Sequence, residues 1–186
     1  MLYFFIFSIV LPLGLFAVAW NQCFWTNFLN CLMIVLSSAL AFNYAQGLAN
    51  MLNEKLPDWS GFTEFLIIWL LFLIIFSVTK AVCDQLSKFP VRFGKQFDQA
   101  FDIAGCVMLT IVMYGWICFT FFPSPVGEEG FNQMMKNDLP SMAGQSYGQV
   151  VFELPSKLGM GGRPFDMSEY AMTRLGRAAD EANHAD

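Results

Sequence analysis

From Met1 to Asn53 the chain contains no Asp, Glu, Lys, Arg or His, and Glu54 is the first charged side chain. Most of that run is Leu, Ile, Val, Phe, Ala, Met and Trp. At ~1.5 Å per residue one helix of this length would be about twice the ~30 Å of hydrocarbon in a bilayer, so the pattern predicts two spans folded back on each other. The first covers residues 1–20 and ends where Asn21, Gln22, Thr26 and Asn27 surround Cys23, Phe24 and Trp25, a polar and aromatic interfacial turn. The second covers 28–51. Glu54-Lys55-Leu56-Pro57-Asp58-Trp59-Ser60-Gly61 then brings charge, Pro and Gly together, as a loop leaving the bilayer does. A third span is expected over 62–82 and a fourth over 100–122, stopped by Pro123-Ser124-Pro125. The fold class is therefore an all-α membrane protein. It is expected to have four transmembrane helices in a membrane domain over 1–122, with a short interfacial segment between helices 3 and 4. A partly helical or disordered, extramembrane acidic tail follows over 123–186.

Composition agrees: 13% of residues are charged and 56% apolar, against about 25% charged in a soluble average. From Glu128 onward there are nine acids and five bases, so the negative balance sits mainly in the tail and argues against a nucleic-acid partner. Ala17-Val18-Ala19 also fits the small-residue pattern of a signal-peptidase site, but the basic n-region is missing, and the first segment is expected to stay as a membrane helix.

Lys and Arg in short loops set orientation, because they are retained in the cytoplasm. Lys80, Lys88, Arg92 and Lys95 lie in or beside the third loop, Lys55 alone lies in the second, and the first has none. That places the third loop in the cytoplasm and, with four spans, both the N-terminus and the tail outside.

Within the second span Ala39, Asn43, Gln46, Gly47 and Asn50 recur at spacings of three and four, one stripe on a helix. Small and amide residues on one face are what helix pairs in lipid use for close approach and hydrogen bonding, so the stripe is expected to be an interhelical seam, with a pore lining as the sharper alternative. Lys80 and Asp84 are four apart, as are Asp98 and Asp102, so each pair shares a helix face near the cytoplasmic interface. Leu86, Phe89, Val91, Phe93, Phe97 and Phe101 interleave with Lys88, Arg92 and Lys95, which predicts a segment in the headgroup region with its bases toward anionic lipid. Anchoring and ion pairing account for most of these charges; Asp102, an acid at the start of a span, is also a candidate proton or cation relay.

Enzymatic chemistry is not expected. The cysteines at 23, 31, 83, 106 and 118 form no CxxC pair and no zinc spacing, and the single histidine, His184, lies close to the end of the sequence. No catalytic residue, cofactor site or metal site follows from this inventory. In the tail, Gly159-Met160-Gly161-Gly162-Arg163-Pro164 has no Lys-Ser/Thr successor and reads as a flexible turn. Beyond it Asp166 and Glu169 have the spacing of a helix start, with Met167, Tyr170, Ala171, Leu175 and Ala178 on one mildly apolar face.

The aromatic approach to the second span at Phe24-Trp25, followed by Asn27-Phe28-Leu29, resembles the colicin V production protein family. So do the 62–76 stretch ending near Lys80, and Asp98 followed by Gly105 at the start of the last span. The resemblance covers about residues 1–122. Where that family usually has a basic residue and Gly before the second span, this chain has Asn21-Gln22-Cys23. The resemblance implies a bacterial inner-membrane protein, without enzymatic activity of its own, that acts as an accessory or scaffold in peptide-toxin production or export and in envelope maintenance. Its expected partners are the lipid bilayer and other membrane or envelope proteins, or a second copy in a homo-oligomer. The competing expectation is a small transporter or channel that uses the polar face of the second span and Asp102.

Overall fold

The computed structural model describes residues 5–53, 60–86, 95–121, 138–158 and Phe165. Among these residues all regular structure is helical. A π-helical turn (Ile6–Val10) leads into α1 (Leu11–Trp20); α2 (Phe24–Asn53), α3 (Ser60–Leu86) and α4 (Lys95–Phe121) follow. α5 (Leu139–Gly148) then continues through a second π-helical turn (Gln149–Glu153) into α6 (Leu154–Leu158).

Among the described residues three helices are long and apolar enough to cross a membrane: α2 over Phe24–Ala49, α3 over Phe65–Gln85 and α4 over Gln99–Phe121. The expected first span is a shorter apolar helix over Ile6–Trp20. Its irregular start has a local cause. Pro12 stands at the beginning of α1 and has no N–H for the carbonyl of residue 8, and the backbone just upstream widens so that the Leu11 N–H reaches the Ile6 carbonyl.

The long helices extend beyond the apolar runs that predict them. α2 begins at Phe24 rather than 28, so Trp25, Thr26 and Asn27, read from sequence as part of a turn, form its first turn. α4 begins at Lys95, bringing Asp98 and Asp102 onto the same helix. Lys88 and Arg92 of the expected interfacial segment lie outside the described residues, as does the expected helix at 166–178.

The chain divides into two compact units, Met1–Ala41 with Leu71–Tyr114 and Phe42–Leu70 with Gly115–Asp186. In the first, Asn27, Cys31, Ile34, Ser38 and Ala41 of α2 are buried at alternating steps of four and three, the spacing of a helix face packed against neighbours. In the second, Phe42, Trp116, Phe119, Tyr147 and Phe152 form an aromatic core. Ring centroids are 5.6 Å apart for Phe42 and Phe119, 5.0 Å for Phe119 and Phe152, and 4.8 Å for Phe42 and Phe152. The segment from Leu139 is thus seated on α4, and a Cβ on Gly144 would lie 3.1 Å from both the Cys118 carbonyl carbon and the Phe119 nitrogen. The expectation of a partly helical tail places its helix at 166–178 and not here.

One expectation is corrected here. Asn43 and Gly47 of the predicted seam are exposed and Ala39 is half-buried, while Ala41, Ala45 and Ala49 are buried. Alanine lets helix backbones approach more closely than an amide does, so the alanine face of α2 turns inward and the Asn43 face turns outward. The side chains of Gln46 and Asn50 lie outside the described residues.

Candidate functional site

In the first unit a set of polar atoms converges on the three-residue turn between α1 and α2. A helix starting at Phe24 leaves its first backbone N–H groups without partners inside the helix. Cys23 takes the cap position, its carbonyl accepting from the Asn27 N–H at 3.1 Å, but its side chain is not one of the oxygen-bearing types that serve helix starts. Asp102 supplies what is missing: its Oδ1 accepts from the Phe24 N–H at 2.5 Å. The carboxylate sits at the positive end of the α2 dipole, where an anion is stabilised.

Gly105 makes that approach feasible. A Cβ there would lie 3.0 Å from Phe24 Cδ2, 3.2 Å from Phe24 Cα and 3.3 Å from Asn27 Cβ. With no side chain at 105, Phe24 settles against α4, its ring 5.4 Å from that of Phe101 and 6.1 Å from that of Phe28.

Asn27 is completely buried one turn further along. Its Nδ2 donates to the carbonyls of Ala19 at 3.3 Å and Gln22 at 3.4 Å and lies 3.4 Å from Cys106 Sγ. The Cys106 thiol in turn donates to the Ala19 carbonyl at 3.2 Å, and the Gln22 N–H reaches the same oxygen at 3.1 Å. Asn30 Nδ2 closes the cluster on Gln22 Oε1 at 2.8 Å. Two carbonyls facing one end of the Asn27 amide require the NH2 there, which turns Oδ1 away to a buried position without a donor. Three helices, α1, α2 and α4, are thereby tied together through main-chain atoms of a turn that contains no basic residue.

Among the described side chains, Asp102 is the sequence-based candidate that enters this cluster. Asp98 is on the same helix with its side chain outside the described residues. Lys80 is half-buried and Asp84 exposed; the ion pair with i,i+4 spacing that forms among the described residues is Lys157–Glu153 instead. Asn43 lies on the exposed face of α2. Sequence reasoning found no CxxC or zinc spacing around Cys106 and read Asn27 as part of a turn. The spacing Asp102, Gly105, Cys106 on one helix face, opposite Asn27 and Asn30 on another, is the signal that marks them.

The cluster holds no acid–base pair next to a nucleophile, and among the described residues no group of three or more His, Cys, Asp or Glu converges as metal ligands would. All five cysteines are free thiols; Cys23 is exposed, and Cys31, Cys106 and Cys118 are buried. Comparison of the chain with family models, curated proteins and solved structures finds no match in any of the three.

Proposed function

We propose that the chain is a membrane-embedded accessory or scaffold protein of the bacterial inner membrane, serving peptide-toxin production or export and envelope maintenance, as its resemblance to the colicin V production protein family implies. The observation that carries this reading is the use made of Asp102. A relay acid needs its carboxylate free to exchange a proton or cation, whereas this carboxylate accepts the first N–H of α2. With Asn27 and Cys106 it fastens a turn, which is the work of a protein whose surfaces are held in fixed places for partners.

Asp102→Asn separates scaffold from transporter. Asn keeps an oxygen acceptor for the Phe24 N–H and removes the titratable group. In a strain deleted for this chain, an envelope or toxin-export defect rescued as well by Asp102→Asn as by the wild type supports the scaffold. Loss of rescue by a variant present at normal levels in the membrane favours the transporter. A deletion without any such defect removes the support for both.

A further inference from the structure

We infer that residues 139–152 are embedded in the membrane interface, with Leu139, Met142 and Val150 set against lipid acyl chains. Between Asp138 and Glu153 the chain has no charged residue. At ~1.5 Å per residue this stretch is about 21 Å long. That is too short to cross ~30 Å of hydrocarbon but is the length of an interfacial or re-entrant segment. α5 and the π-helical turn after it keep the backbone helical through this stretch, so beyond its first turn its N–H and C=O groups need no water.

Depth follows from what the segment touches. The Gly115 position, where a Cβ would lie 2.9 Å from Tyr147 Cδ2, is six residues before Phe121, the end of the apolar span of α4. Six residues of helix place that contact about 9 Å inside the end of the span. Amphipathic helices lying in an interface sit about 5–10 Å into the headgroup and acyl boundary.

The two faces of the segment agree with this position. Pro140, Ser141, Gly144, Tyr147, Gly148 and Phe152 are buried against protein. On the other face Leu139 is 62% exposed, Met142 57% and Val150 60%, with only the uncharged Ser146 and Gln149 beside them. A water-facing surface at this depth would carry charge; an acyl-chain-facing one would not. Charge returns directly at the end of the segment, where the side chains of Glu153 and Lys157 pair and Lys157 is 56% exposed.

Spin labels at Met142→Cys, Val150→Cys and Lys157→Cys, in full-length protein lacking Cys23 and Cys83 and reconstituted in vesicles, test the placement. Labels at 142 and 150 are expected to collide more with dissolved oxygen than with a water-soluble nickel chelate, and the order reverses at 157. Dominant chelate collisions at 142 and 150 would place the face in water and overturn the inference. Low accessibility to both agents would mean that protein covers it, with the same consequence. A second measurement needs no substitution: wild-type protein is irradiated in vesicles of phospholipid with a photoreactive group at the acyl-chain end, then digested with trypsin. Adducts on the 137–157 peptide at a level matching those on the peptide holding Leu70 and Leu73 are expected, and their absence sinks the proposal.

Discussion

Asp102 and Asn27 hold the same turn by opposite means, one accepting from a backbone N–H and the other donating to backbone carbonyls, and substitutions separate the two. Asp102→Ala removes the acceptor and leaves the Phe24 N–H unpaired; caps of this kind are worth about 0.5–2 kcal/mol. Asp102→Asn retains an acceptor and is expected to unfold, in a detergent denaturation series, closer to the wild type than to Asp102→Ala. Equal losses for the two variants would show that charge and not the hydrogen bond matters. At Asn27 the order is set by which groups face which. Asn27→Leu strips donors from the Ala19 and Gln22 carbonyls but also removes the buried Oδ1 that has no donor. Asn27→Asp points a second acceptor at those carbonyls. Leaving a buried polar group unsatisfied costs about 1–3 kcal/mol, more when it is charged, so Asn27→Asp is expected to be the less stable of the two by thermal melting in detergent.

At the scale of the helices, two glycines predict opposite outcomes from the same substitution. A Cβ on Gly47 meets nothing within 4 Å, so Gly47→Ala only removes backbone freedom from α2, and a rise in stability of up to about 1 kcal/mol is expected. A Cβ on Gly144 meets backbone atoms of Cys118 and Phe119, which cannot rotate away as a side-chain tip can. Gly144→Ala therefore pushes α5 off α4, with a cost of about 1–3 kcal/mol and faster hydrogen exchange in α5. Sequence patterning located the three long helices, because their apolar runs leave no other structure in a membrane, but it missed their ends. Asn27 looks like an interfacial residue in one dimension, and only the carbonyls folded back on it explain its place inside α2. The inward face of α2 was also hidden, since amides at 43, 46 and 50 form a more conspicuous pattern than alanines at 41, 45 and 49. α5 escaped notice because Pro140, Gly144 and Gly148 are poor helix formers. Pro140 is harmless in a first turn, and Gly144 is required by a neighbour that the local sequence does not reveal.

For the whole molecule the pairing of α2 with α4 bears on topology. Phe24 meets Asp102 and Asn27 meets Cys106, so within the first unit the two helices run parallel. Parallel helices that each cross a membrane begin on the same side of it. The turn at 21–23, which carries no charge of its own, therefore lies at the end of α2 that is level with the start of α4. The bases at 80, 88, 92 and 95 predict the cytoplasm for the side on which α4 begins, and the uncharged turn is expected to share that side through its hydrogen bond to Asp102. Cys23 is exposed at that turn, whereas Cys31, Cys106 and Cys118 are buried, so the native protein carries its own reporter. A membrane-impermeant maleimide is expected to leave Cys23 unmodified in intact spheroplasts and to modify it in inside-out vesicles, with the three buried thiols reacting only after denaturation. Modification of Cys23 in intact spheroplasts would reverse the orientation.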